Sequence, residues 1–186
     1  MKMFRTMTIV ALSIAASACN YSPTTPKPTL HEVMTGSIDP VADIIWGEAN
    51  KAYGEDGKAA PGVLVDAEWT RIAKAGRDLH NGAMAIANDP NIRGVAPGVK
   101  ILDEGTVPEA VTAAQVAGYL DRDRPGLTRH ARELATIALA IETAAKARDV
   151  VTTVQLSEEL DDVCESCHKR FWYPDQAKTV AEAAAK

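Results

Sequence analysis

Apolar residues recur along four stretches of the chain at spacings of three and four, the pattern of helices that each bury one face. The first stretch carries Leu30, Met34, Ile38, Val41, Ile45 and Ala49. The second carries Trp69, Ile72, Gly76, Leu79, Ala83 and Ile86, and the third Leu127, Ala131, Leu134, Ala138, Ile141 and Ala145. The fourth holds Val154, Leu156, Leu160, Val163, Cys164, Cys167 and Phe171. Four such stripes predict an all-α domain over residues 29–174, folded as an antiparallel up-down-up-down four-helix bundle. In that arrangement the start of the first helix lies beside the end of the fourth.

The interruptions fit four helices. Residues 54–62 hold three Gly and one Pro, and residues 89–108 hold three Pro and three Gly. Arg124-Pro125-Gly126 precedes the third helix, and a tight turn at Arg148-Asp149 joins the third to the fourth. The second connection is longer than a bundle needs, so Glu109 to Leu120 is expected to form a short extra helix within it. Pro40 falls inside the first pattern. Proline removes one backbone bond and collides with the carbonyl four residues back, here that of Gly36. A kinked first helix is expected, with a break at Asp39 as the alternative.

The N-terminal residues have another pattern. Lys2 and Arg5 precede an apolar run from Met7 to about Ala18, too short to span a bilayer and closed by Ala16-Ser17-Ala18. Residues 1–18 therefore read as an export signal. Small residues followed by Cys19 resemble a bacterial lipobox, although Ala16 stands where Leu is commoner. The other reading is ordinary cleavage just before Cys19, leaving an exposed thiol. The chain has three cysteines, and an odd thiol in an oxidising compartment favours lipidation of Cys19. Residues 20–28, rich in Pro and Thr, read as a tether, and residues 175–186 as an Ala-rich charged tail. The expected location is the periplasm of a Gram-negative bacterium, with membrane attachment only through the lipid on Cys19.

Composition agrees with a helical domain. Apolar residues make up 46% and aromatics 5%, which suits helices better than a β-sandwich. Loss of Lys2 and Arg5 with the signal takes the formal charge from −5 to about −7, since residues 1–18 contain no acid. No basic patch suggests a nucleic-acid partner.

The chemistry concentrates in Cys164-Glu165-Ser166-Cys167-His168, a C-x-x-C-H run, the spacing of c-type haem attachment. Two thiols three residues apart can each form a thioether to one vinyl group, and the adjacent imidazole reaches the iron from the same side. On a helix, positions 164, 167 and 168 share a face. Other readings fit less well. Redox dithiols usually follow a strand and open a helix, whereas this motif closes one. A zinc site lacks a second cysteine pair, and a disulfide across three helical residues has poor geometry.

With this motif at the end of the last helix, followed by Phe171-Trp172-Tyr173, the chain resembles class II c-type cytochromes, cytochrome c-prime and its low-spin relatives, from about Leu30 to Tyr173. The family often carries an Arg four or five residues after the His. Here Lys169 and Arg170 follow His168 directly, so that role is not transferred. The resemblance implies one covalent haem c, His168 as an axial iron ligand, and a sixth position faced by a residue early in the first helix. Met34, in H-E-V-M-x-x-x-I-x-P-x-A-D-x-I-W, stands there, and a His/Met pair raises the reduction potential. His31 could replace Met34 to give bis-His ligation; His80, Met84 and His130 are further rivals expected near the same end of the bundle. Trp46 lies about 18 Å of helix beyond Met34 and is expected to pack in the core. Phe171, Trp172 and Tyr173 either cover the haem edge or plug the bundle end.

The function expected is transfer of single electrons to periplasmic redox proteins, without enzymatic activity, because a six-coordinate iron has no open site. A five-coordinate gas-binding protein is the rival, followed by a lipoprotein whose haem serves only stability. Homodimers are common in the family.

Overall fold

The computed structural model describes residues 26–54, 57–102, 104–106 and 110–174. The signal, Cys19, most of the tether and the tail lie outside the described residues. Among those described, the regular structure is helical apart from an isolated bridge between Tyr53 and Ala59. The helices are α1 (Leu30–Val33), a π turn (Met34–Ile38), α2 (Asp39–Ala49), a 3-10 turn (Asn50–Ala52), α3 (Asp66–Ala87), α4 (Ala113–Arg122), α5 (Arg124–Ala147) and α6 (Val150–Phe171). None of the described helices is long and apolar enough to cross a membrane.

Local chemistry sets the boundaries. Thr29, fully buried, caps α1: its Oγ1 accepts from Glu32 N–H at 3.2 Å, and Glu32 Oε2 accepts in return from Thr29 N–H at 2.7 Å. This reciprocal capping box satisfies two donors that the helix cannot. Thr112 and Gln115 repeat it at α4, so the expected short helix exists but starts at Ala113. Asp123 caps α5 by accepting from Gly126 N–H at 2.9 Å. Arg124-Pro125-Gly126 thus forms the first turn of α5 instead of preceding it; proline suits that place because its missing N–H has no partner there. The α5–α6 joint is the tight turn expected, with Arg148 left-handed at φ 56° and Asp149 capping α6.

The first helical run changes its winding just before Pro40. The chain neither breaks at Asp39 nor keeps α geometry; it widens into a π turn in which Asp39 N–H bonds to Met34 O. The buried face shifts as a result. Val33, Ile38, Ala42, Ile45 and Ala49 are buried, while Leu30, Met34 and Val41 lie at its margin.

The largest helix interface is α3 against α5, followed by α5 with α6 and α2 with α3, and the ring closes through α2 and α6. Its centre is Ile38, Ile45, Ile72, Leu79, Leu120, Ile141 and Leu160, all essentially inaccessible. At the α3–α5 crossing, a Cβ on Gly76 would lie 2.8 Å from Ala138 O and from Glu142 N, so only glycine permits this approach. Glu48 and Arg71 join α2 to α3 at 2.5 Å. Arg77 and Glu142 join α3 to α5 at 2.6 Å. Trp46 Nε1–H donates to Ser157 O at 3.0 Å, joining α2 to α6 while its ring packs on the core as expected. Arg170 and Asp123 hold the end of α6 to the start of α5 at 2.9 Å.

Candidate functional site

Cys164, Cys167 and His168 occupy the last two turns of α6, and their i, i+3, i+4 spacing places them on one face. All three are half-buried. Both thiols are free. Desolvation pushes Cys164 up to about 11, with the Asp161 and Asp39 carboxylates adding to the effect. Desolvation likewise pushes Cys167 up to about 12, helped by Cys164 and Glu133. Each sulfur therefore keeps its proton at neutral pH.

The imidazole of His168 is lowered from its ordinary value by desolvation, against the opposing pull of Asp39, Glu165 and Asp161. The shift favours the neutral imidazole, the form that can bind a metal. Trp172 packs edge-on to it at 5.3 Å, and Tyr173 leans on it at 5.9 Å. The Tyr173 hydroxyl donates to Glu165, and Lys169 pairs with Glu165 at 3.3 Å. Both Trp172 N–H and Tyr173 N–H return to His168 O, at 2.8 and 3.0 Å, folding the chain back over the last turn. The aromatic trio is therefore divided: Phe171 is buried in the core, while Trp172 and Tyr173 flank the imidazole.

Asp39 is the element of this site that the sequence pattern missed. Its carboxyl is solvent-exposed, yet desolvation raises it, and the His168 side chain is the first charge opposing that shift. The junction between the π turn and α2 therefore faces the end of α6. Pro40, next to Asp39 in the first helical pattern, was the available signal. Met34 is five residues before Asp39, half-buried and in contact with the core. The Cα atoms of the π turn and α6 stay more than 8 Å apart.

The rivals to Met34 divide. His31 lies in α1, half-buried, close enough to Asp39 to affect its charge. His130 sits beside the end of α6, with Nδ1 3.3 Å from Ser166 Oγ and its ring edge-on to Phe171 at 6.0 Å. His80 and Met84 do not share this neighbourhood. His80 Nδ1 is 2.9 Å from Ala135 O, and both side chains line a groove with Leu139, Ala140 and Thr143 of α5 and Leu156 of α6.

The donor set fits a covalent haem better than a bare metal ion. Among the described residues no three His, Cys, Asp or Glu side chains converge on a metal position. Thioether attachment needs no such convergence: the thiols bond to the porphyrin edge and only the imidazole meets iron. Comparison with protein-family models, curated proteins and solved structures gives no match to this chain.

Proposed function

We propose that this chain is a monohaem c-type cytochrome of the class II kind, an up-down-up-down four-helix bundle that carries single electrons in the periplasm. The observation that carries the reading is the face formed by Cys164, Cys167 and His168, with two free protonated thiols and a neutral imidazole that has no hydrogen-bond partner among the described residues. The imidazole is half-buried and so remains open to a bond that iron would supply.

Cys164 and Cys167 hold the cofactor as thioethers, each S–H adding across one vinyl group. His168 and Met34 would be the side chains that hold its iron. When bound, haem c supplies a one-electron iron couple, and thioether ligation raises its potential. Trp172 and Tyr173 limit rotation of the imidazole and exclude water from one side. Asp39 places a negative charge beside the site, which favours the more positive, oxidised state. Contacts of early α5 with late α6, early α3 with late α5, and late α2 with early α3 support the antiparallel order. The remaining parts of the reading are export by residues 1–18, a lipid on Cys19 and small, transient contacts with periplasmic redox proteins.

The test is the optical spectrum of the exported protein with and without carbon monoxide. A sharp low-spin reduced spectrum that carbon monoxide leaves unchanged is expected, and Met34→Ala should make it high-spin and responsive. A wild-type protein that binds carbon monoxide directly would transfer the assignment to gas binding.

A further inference from the structure

The buried positions of the first helical run step by four from Thr29 to Val33 and by five from Val33 to Ile38. They then step by four, three and four to Ala42, Ile45 and Ala49. At about 100° per residue, Val33 and Ile38 would point about 140° apart in an unbroken α-helix. Met34 and Ile38 would point only about 40° apart and share the core face. The π turn reverses this. With Asp39 N–H bonded to Met34 O across five residues, the extra residue is absorbed, and Val33 takes the core position at 6% exposure. Met34 is left at the margin, in contact with the core but partly accessible.

Pro40 supplies a cause. It has no N–H to donate, and in α geometry its ring would meet the Gly36 carbonyl. The distortion falls on Ile38, at φ −95° and ψ −64°, against about −63° and −42° for an α-helix. Gly36 has nothing within 4 Å of where a Cβ would stand, whereas the C-terminal end of the turn packs on α3, where a Cβ on Gly82 would lie 2.9 Å from Ile38 Cδ1.

We propose that Pro40 holds the π turn, and that the π turn rotates Met34 out of the core so that its thioether is free to ligate iron. Pro40 is thus a positioning residue for the sixth ligand. The inference rests on the haem reading above, because without haem the rotation has no ligand to serve.

The experiment uses the holoprotein carrying Pro40→Ala. Hydrogen exchange and chemical shifts of the Asp39 amide follow the turn, while the reduced spectrum with carbon monoxide and the reduction potential follow the ligand. The expected result is loss of the five-residue hydrogen bond together with a high-spin, carbon monoxide-binding spectrum and a lower potential. Persistence of the π turn would overturn the role of Pro40. Its loss with an unchanged low-spin spectrum would overturn the role of the turn. The exchange variant V33M/M34V keeps Pro40 and side-chain composition but moves the thioether to the core position. It should also become high-spin, and retention of the wild-type spectrum would refute the rotational argument independently. Failure of the underlying haem reading is distinct: it would appear in the wild-type protein as absent haem or as direct carbon monoxide binding.

Discussion

Gly76→Ala sets two effects of opposite sign against each other. In a solvent-exposed helix interior, replacing Gly by Ala stabilises by about 1 kcal/mol. At position 76 the new methyl would stand 2.8 Å from Ala138 O and Glu142 N and 3.1 Å from Glu142 Cα. All three are backbone atoms of α5, so no rotamer change can relieve the overlap. The α3–α5 interface must open, and it also carries the Arg77–Glu142 pair and the His80–Ala135 contact. Forcing an extra methyl into a close-packed interface costs about 1–3 kcal/mol. Backbone neighbours favour the upper half of that range, so strain should win by about 1–2 kcal/mol. At about 2–4 °C per kcal/mol for a domain of this size, Tm should fall by several degrees. Urea unfolding followed by far-ultraviolet circular dichroism, together with a thermal scan, reads both quantities. A variant as stable as wild type, or more stable, would refute the close crossing.

Two other perturbations test parts of the fold that support the site. Thr29→Ala removes the Oγ1 that accepts from Glu32 N–H and donates to Glu32 Oε2, and should lower unfolding free energy by about 1 kcal/mol in urea titration; an unchanged midpoint would show that the side-chain cap is dispensable. Glu142 is held below its ordinary value of 4.5 by its bond to Lys146, then by Arg77, against desolvation. A depressed carboxylate contributes stability that is present above the unfolded value and lost as pH falls through the lower folded value. Glu142→Gln should therefore flatten the stability profile below about pH 4.5, and an unchanged acid limb in urea titrations across pH would contradict the pairing.

Much of the helical framework was legible because burial repeats simply. The stripes from Trp69 to Ile86 and from Leu127 to Ala145 match the buried faces of α3 and α5. The turn at Arg148-Asp149 was legible although it contains neither Gly nor Pro. The phase of the first helix was not. Met34 and Ile38 are separated by an ideal helical step, and only the π turn at Pro40 transfers the core position to Val33. Local spacing cannot register an inserted residue without knowing which faces meet α3.

The C-x-x-C-H run needs only neighbours in sequence, so its common face on α6 was readable directly. What surrounds it depends on distant residues meeting in space. Asp39 reaches the electrostatic environment of His168 from another helix, and His80 proves to be engaged with Ala135 O along the α5 groove. Neither relation has a signature in sequence spacing.

Intact-mass analysis of the exported protein, before and after acid–organic extraction, asks whether haem is bonded to Cys164 and Cys167. The mature chain should retain the mass of one haem through extraction, and C164A/C167A should not. A wild-type chain at its bare mass, or a porphyrin removed by the solvent, would contradict that bonding.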